Sequence, residues 1–199
     1  MKLFKYAATA LLATAAPASA ATLIIDGNGI LTGATGVNVG GALFDVEFID
    51  GTCVSLFSGC DQNTDFALNS LGSRPDVAGQ ALLDQVLIGV FDTNPELVRG
   101  CSNTSFCQID IPTQTGAPGN FFGGFLQNDT GLNSDVAGIV QYSVNRDTGA
   151  NRPAETFARF TPQVGAIPEP GTWAMMLLGF GVIGALMRRR RQVHGLKIA

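Results

Sequence analysis

The carboxyl-terminal part of the chain carries an uncharged, apolar segment that limits what the rest can fold into. It comprises 16 residues, 172–187, and four arginines follow it directly. As a helix rising about 1.5 Å per residue, it would extend about 24 Å. That is shorter than a bilayer core of about 30 Å, and arginine side chains reach outward to close part of the gap. Trp173 suits one membrane interface, and the arginines are expected to stay cytoplasmic. We therefore predict a transmembrane helix at 172–187, which leaves the residues before it to form the folded domain.

A short motif precedes this segment. Pro168-Glu169-Pro170 is followed, after two residues, by Trp173-Ala174, then by a glycine-rich apolar stretch and the arginine cluster. In this arrangement, residues 167–191 resemble the PEP-CTERM sorting signal of bacterial envelope proteins, in its PEPxxWA variant. The same segment is also known as an ice-binding-protein C-terminal domain. The motif positions are Pro168, Glu169, Pro170, Trp173, Ala174, Arg188, Arg189, Arg190 and Arg191.

The resemblance implies a cellular route. Signals of this family are read by exosortase, a membrane protease-transpeptidase that processes its substrates near the Pro-Glu-Pro motif, typically in bacteria that make exopolysaccharide. It implies exosortase and the inner membrane as partners and exopolysaccharide as a candidate partner. The domain is then expected on the periplasmic side first, and at the cell surface or outside the cell after processing. An ordinary single-span anchor is the alternative, but the short span and the Pro-Glu-Pro entry favour sorting. Residues 192–199 are expected to form a cytoplasmic tail.

The amino terminus has the pattern of a secretory signal peptide. Lys2 and Lys5 precede an apolar run over residues 6–16, which is too short to span a bilayer. Small residues then occupy the positions that signal peptidase requires. We predict export by the general secretion machinery and cleavage between Ala20 and Ala21. The signal peptide is thus residues 1–20, and the exported domain is residues 21–166.

The charges of the exported domain exclude several function classes. It has 15 acidic side chains and five arginines, and hence a net charge of −10. Nucleic acid is not an expected partner, because its binding depends on neutralisation of phosphate by basic side chains. The domain contains no lysine, and the only histidine of the chain is His194. Histidine-dependent nucleophilic catalysis, histidine-ligated metal sites and lysine Schiff-base chemistry are therefore excluded, and no cofactor is expected.

All four cysteines lie in the exported domain, at positions 53, 60, 101 and 107. Export makes disulfides permissible. Three pairings exist, and the two short spacings favour Cys53–Cys60 and Cys101–Cys107. A zinc site is the alternative, but these spacings fit none of the usual close pairs and no histidine is available.

Alternating apolar residues predict a mainly β domain. Phe44, Val46 and Phe48 alternate with acidic residues, as in a half-buried strand. The run 52–57 follows Asp50-Gly51, which predicts the second strand of a hairpin. Further strands are expected at 23–25, 36–39, 106–111, 121–126, 139–144 and 156–161. The predicted fold is β-sandwich-like.

One stretch of the domain has helical periodicity instead. Ser73 is placed to cap a helix, with Pro75 in the first turn. We predict a single helix over residues 75–88, whose face of Val77, Leu82 and Val86 packs against a sheet.

Two groups of oxygen-bearing residues are candidates for chemistry. Asp45 and Glu47 point to one face of a predicted strand, about 7 Å apart, within the range that glycosidases use. An exposed polar strand face explains the same alternation. Asp61, Asn63 and Asp65 form the opening of a calcium loop, but Phe66 and Gly72 stand where that loop needs glycine and glutamate. They are weak calcium candidates, and a polar turn is the favoured interpretation.

The sequence thus favours a non-enzymatic cell-envelope or extracellular-matrix protein. The alternative is a carbohydrate-active enzyme, such as a carboxylate-dependent glycoside hydrolase, or a lectin that uses carboxylates or calcium. We predict no catalytic residue, and no metal site beyond the weak calcium candidates.

The cysteine assignment makes a prediction about mass. The intact mass of the exported domain under non-reducing conditions should lie about 4 Da below the all-thiol value, because each disulfide removes two hydrogens. Mass spectrometry before and after reduction measures the difference. Alkylation of four free thiols in the native protein would contradict the assignment.

Overall fold

The computed structural model describes residues 20–72, 74–131, 135–149, 152–163 and 178–180. The chain divides into two compact units, Met1–Gln163 and Val164–Ala199. The predicted signal peptide lies outside the described residues except for Ala20. The sorting segment also lies outside them, except for residues 178–180, which are helical. Within the described ranges, no helix is both long and apolar enough to cross a bilayer.

The described part of the first unit is built on one seven-stranded sheet. The strands are β1 Thr22–Ile25, β2 Leu31–Val39, β3 Ala42–Ile49, β4 Phe106–Thr115, β5 Asn120–Asp129, β6 Val136–Ser143 and β7 Glu155–Pro162. Their order is β1-β2-β3-β7-β4-β5-β6. Only β4 and β7 pair in parallel; the other neighbours are antiparallel. The mainly β prediction is confirmed.

The predicted sandwich of two sheets is wrong. The reason is the position of β7, the last of the described strands. It pairs with β3 on one side and with β4 on the other, so it joins the hairpins β1–β3 and β4–β6 into a single sheet. Sequence alternation locates the strands but does not specify which distant strands pair.

The predicted hairpin across Asp50-Gly51 is also wrong, because its second strand is a helix. Residues Cys53–Leu56 form α1. Thr52 caps it: the Thr52 hydroxyl accepts a bond from the Ser55 N–H, and the Ser55 hydroxyl accepts one from the Thr52 N–H. This reciprocal cap satisfies two backbone donors that a helix start leaves unpaired, and it outweighs the β propensity of the run.

The predicted helix is confirmed over most of its length. Helix α2 spans Asp76–Gln85, and Pro75 is its N-cap residue. It ends earlier than predicted, because the carbonyl of Leu82 accepts bonds from the N–H groups of both Val86 and Leu87. Leu82 and Val86 are fully buried, and Val77 packs beside them. The described residues include a further short helix, α3 Val90–Thr93, and 3-10 turns at Asn63–Asp65, Asn69–Leu71 and Pro95–Leu97.

Two apolar clusters cover the two faces of the sheet. Alternation along β7 shows the division, since Phe157 belongs to one cluster and Ala158 and Phe160 belong to the other. Helix α2 covers the face of the larger cluster. The smaller cluster consists of Cys53, Phe57, Cys60, Phe66, Phe121 and Phe157. Both clusters lie within residues 20–163, so the exported domain carries its own core.

Both predicted disulfides are present, Cys53–Cys60 and Cys101–Cys107. The first closes the loop that holds α1 against the smaller cluster. The second connects the segment before β4 to the start of that strand. Each closes a short loop, which in the chain-entropy picture stabilises a fold by about 2 to 3 kcal/mol.

The approach of α2 to the sheet predicts a sensitive glycine. A Cβ added to Gly124 on β5 would lie 2.5 Å from the carbonyl oxygen of Pro75, at the start of α2. Because backbone would have to move, Gly124→Ala should lower the free energy of unfolding by about 1 to 3 kcal/mol. Urea denaturation measures the loss.

The matched control for this variant is Gly27→Ala, since nothing lies within 4 Å of a Cβ at Gly27. It should change the free energy of unfolding by no more than about 0.5 kcal/mol. Equal effects of the two variants would contradict the close packing of α2 on β5.

Candidate functional site

Polar side chains form a connected cluster on the face of the sheet that carries the smaller apolar cluster. Strand pairing creates it, because β4 and β7 run in parallel with Gln108 opposite Glu155 and Asp110 opposite Phe157. The members are Gln108 and Asp110 of β4, Tyr142 of β6, Arg146, Arg152 and Glu155. We call these six residues the Asp110 cluster.

Asp110 is the most buried member of the cluster, with no exposed surface. Its Oδ1 accepts a hydrogen bond of 2.8 Å from the Gln108 amide, which also donates to the Tyr142 hydroxyl at 3.1 Å. Its Oδ2 lies 3.5 Å from Arg146 Nε and has no hydrogen-bond partner. One hydrogen bond and one ion pair therefore hold this carboxyl group.

Arg146 lies between the two carboxylates of the cluster. Its guanidinium pairs with Glu155 Oε2 at 2.7 Å and sits 3.8 Å from the centre of the Tyr142 ring. Arg152 Nη1 donates to both Glu155 oxygens, at 3.0 and 3.1 Å. Two guanidinium groups and two carboxyl groups thus balance when all are ionised, in a site where Arg146 and Glu155 are each mostly buried.

Burial raises the pKa of Asp110 to about 6, although the Gln108 hydrogen bond and the Arg146 charge oppose the rise. A carboxyl group with such a pKa has the strength of a general acid. Catalysis also requires contact with substrate, and this carboxyl group has no exposed surface. Glu155, the second carboxylate, is bound by two arginines. The arrangement is therefore suited to holding the chain between β6 and β7 in place.

The structure places the predicted pair Asp45 and Glu47 on one side of β3. With Arg99, Arg159 and Thr161 they line a surface depression of about 410 Å³. Both carboxylates have partners. Glu47 pairs with Arg159, and Asp45 Oδ1 accepts bonds from the Gln163 amide at 2.6 Å and the Gly36 N–H at 3.3 Å. Both carboxylates of the predicted pair are therefore bound to neighbouring polar groups.

The candidate calcium residues have structural partners. Asp65 Oδ2 accepts bonds from the N–H groups of Asp61 and Gln62. Asn63 Oδ1 accepts bonds from the N–H and the hydroxyl of Thr115, which joins this turn to β4. Among the described residues, no group of three or more histidine, cysteine, aspartate or glutamate side chains is arranged to hold a metal.

Sequence reasoning missed the Asp110 cluster. Gln108 and Asp110 alternate with apolar residues along β4, and such alternation normally indicates a solvent-facing side. One signal was present: Arg146 and Arg152, two of the five basic residues of the domain, lie close together in the chain. Their proximity did not identify a partner across the sheet.

The sorting motif and the signal-peptidase site are sequence features outside this geometry. The sorting positions lie outside the described residues. Ala20 and Ala21, which flank the predicted cleavage site, are described, and residues 1–19 before them are not.

The family model described as the PEP-CTERM protein-sorting motif matches residues 166–191, which confirms the resemblance. Comparison with curated proteins and with solved structures gives no match. The motif indicates an exported protein and implies exosortase as its processing partner.

Burial of Asp110 predicts a specific pH dependence of stability. Its pKa is about 6 in the folded state against an ordinary value of 3.8. Between these values the unfolded chain releases the proton and the folded chain keeps it, which favours unfolding as pH rises. Relative to Asp110→Asn, the wild-type free energy of unfolding should therefore fall by about 2 kcal/mol from pH 4 to pH 7. Urea denaturation across this range tests it, and parallel profiles for the two proteins would contradict it.

Proposed function

We propose that the chain is a non-enzymatic cell-envelope or extracellular-matrix protein that reaches its site by sorting. Residues 172–187 hold it in the inner membrane, with the acidic domain on the periplasmic side and the arginines in the cytoplasm. Exosortase then processes the chain near Pro168-Glu169-Pro170, and the domain passes to the cell surface or the exterior. The match of residues 166–191 to the sorting motif carries this proposal.

The charge distribution supports this orientation. The domain carries a net charge of −10, whereas Arg188–Arg191 place four positive charges directly after the apolar segment. Positive charges next to a span favour the cytoplasmic side. The two disulfides of the domain are typical of an oxidising compartment such as the periplasm.

The geometry of the polar groups supports a role without catalysis. Asp110 has no exposed surface, Glu155 is bound by two arginines, and Asp45 and Glu47 have partners of their own. A carbohydrate-active enzyme would need two carboxyl groups that face a shared substrate. Asp45 and Glu47 line one depression, but each is already bound to a neighbouring polar side chain. We link the protein to exopolysaccharide because proteins that carry the sorting signal it resembles typically occur in bacteria that make exopolysaccharide.

Replacement of Glu169 tests the sorting proposal. Glu169→Ala leaves the apolar span unchanged, so membrane insertion should persist while processing and release are blocked. Replacement of the four arginines by glutamine should instead weaken retention and orientation, because it removes the charge that specifies the cytoplasmic end. Cell fractionation and mass mapping of the carboxyl terminus, in a host that carries exosortase, measure both effects.

Thr172→Ala is the matched control, since Thr172 lies between the Pro-Glu-Pro motif and Trp173 but outside the motif positions. It should be processed normally. Normal processing of the Glu169→Ala protein would leave a plain membrane anchor as the better description of this segment.

A further inference from the structure

The two edge strands of the sheet lack the residues that usually prevent pairing with a further strand. Strands β1 and β6 are the edge strands of the seven-stranded sheet, and neither contains a charged residue or a proline. Edge strands normally carry such residues, because an open row of backbone N–H and C=O groups pairs readily with another strand. Large exposed apolar side chains also concentrate here: Ile24 and Ile25 on β1, Val136 and Ile139 on β6.

Strand β1 nevertheless has two structural protections. It is only four residues long, and its pairing with β2 shifts register between Ile24 and Ile25. A short, irregular edge is a poor template for a further strand. Its last residue is followed by a turn in which the Asp26 carboxylate accepts bonds from the N–H groups of Asn28 and Ile30.

Strand β6 has neither protection. It has eight residues and pairs with β5 without a register shift, from Asn120 opposite Ser143 to Gln127 opposite Val136. Val136 and Ile139 are 50% and 49% exposed. In an antiparallel strand, alternate residues direct their N–H and C=O groups away from the paired neighbour. Within the described ranges, no strand lies beyond β6 to receive them.

The charged residues that flank β6 in the chain, Asp135 and Arg146, both make contacts inside the domain. Asp135 precedes the strand, and its Oδ1 accepts a bond of 2.8 Å from the Asp129 N–H at the end of β5. Arg146 follows the strand, and its guanidinium is bound to Glu155. The two charges that flank β6 in the chain are thus committed to contacts inside the domain, whereas Arg74, Asp76 and Asp84 lie beside Ala137 on the face that carries α2.

We propose that β6 pairs with β6 of a second copy of the chain. The two strands run antiparallel about a two-fold axis near Ile139, and the two sheets become one continuous sheet of 14 strands. This register sets Ile139 beside its counterpart, Gly138 opposite Val140 and Ala137 opposite Gln141. The opposed residues share a face of the sheet, and all of them are uncharged.

A second copy is the occupant that the sequence of β6 favours, because an uncharged strand then pairs with an uncharged strand. Antiparallel pairing of identical strands puts the two Asp135 residues at opposite ends of the interface, so these like charges stay apart. The pairing also buries the exposed Ile139 side chains against each other.

A net charge of −10 on each domain opposes association over longer distances, and salt screens that repulsion. Dimer formation should therefore strengthen as ionic strength rises.

Variants of the two edge strands test the interface. Ile139→Lys should raise the dissociation constant of the dimer at least about 100-fold, because the two lysine ammonium groups would face each other across the two-fold axis. Because Ile139 is half exposed, the fold should persist, which circular dichroism and thermal unfolding check. Ile24→Lys is the matched control: Ile24 is 45% exposed, but on β1, so this variant should remain dimeric. Sedimentation equilibrium of the domain of residues 21–166, and of the mature chain in detergent, measures both.

Hydrogen exchange gives an independent reading. Amides of β6 should become protected as protein concentration rises, and amides of β1 should not. A monomeric wild-type domain at 100 μM and high salt would overturn the proposal. So would dissociation of the Ile24→Lys dimer while the Ile139→Lys dimer persists, because the interface would then lie at the other edge.

Discussion

The pairing of β7 with both β3 and β4 is the interaction on which the rest of the domain depends. Without it, the chain contains two separate three-stranded units, β1–β3 and β4–β6. The same strand connects the two apolar clusters. Phe157 packs edge-to-face against Phe57 and Phe121, at 5.8 and 5.9 Å between ring centres, while Ala158 and Phe160 face the cluster under α2. One strand thus provides both the continuity of the sheet and the link between its faces.

Local signals in the sequence predicted local structure well. Alternation located β3, and β-rich runs between turn residues located at least part of each other described strand. The periodicity of Val77, Leu82 and Val86 located α2, and short spacing paired the cysteines. The wrong predictions arose where a helix cap competed with β propensity and where strands distant in the sequence pair. At Thr52, a reciprocal cap with Ser55 overrode the β propensity of the residues that follow. The sandwich was wrong because alternation is the same in one sheet or two, and only the parallel contact of β4 with β7 decides between them.

The Asp110 cluster was beyond local reasoning for a related reason. A polar residue at every second position of β4 predicts a solvent-exposed face, yet Asp110 is fully buried. Arg146, which follows β6, pairs with its carboxylate, and Tyr142 of β6 accepts a bond from the same Gln108 amide that binds Asp110. Burying ionised groups costs more than their attraction returns unless hydrogen bonds complete the site. Here Asp110 Oδ2 has no hydrogen-bond partner. The cluster therefore connects the chain between β6 and β7 to β4 without a full set of hydrogen bonds to offset the burial of Asp110.

The position of β7 has a consequence for the order of folding. The central strand of the sheet is also the last strand among the described residues. It ends at Pro162, only a few residues before the sorting motif begins at 166. A chain threaded outward from its amino terminus cannot complete the sheet until nearly the whole domain has emerged. Until then β3 and β4 are additional open edges, the kind of surface on which partly folded chains misassociate. Closure of the sheet and emergence of the sorting motif are therefore nearly simultaneous, and a domain that stalls before β7 emerges has no continuous sheet.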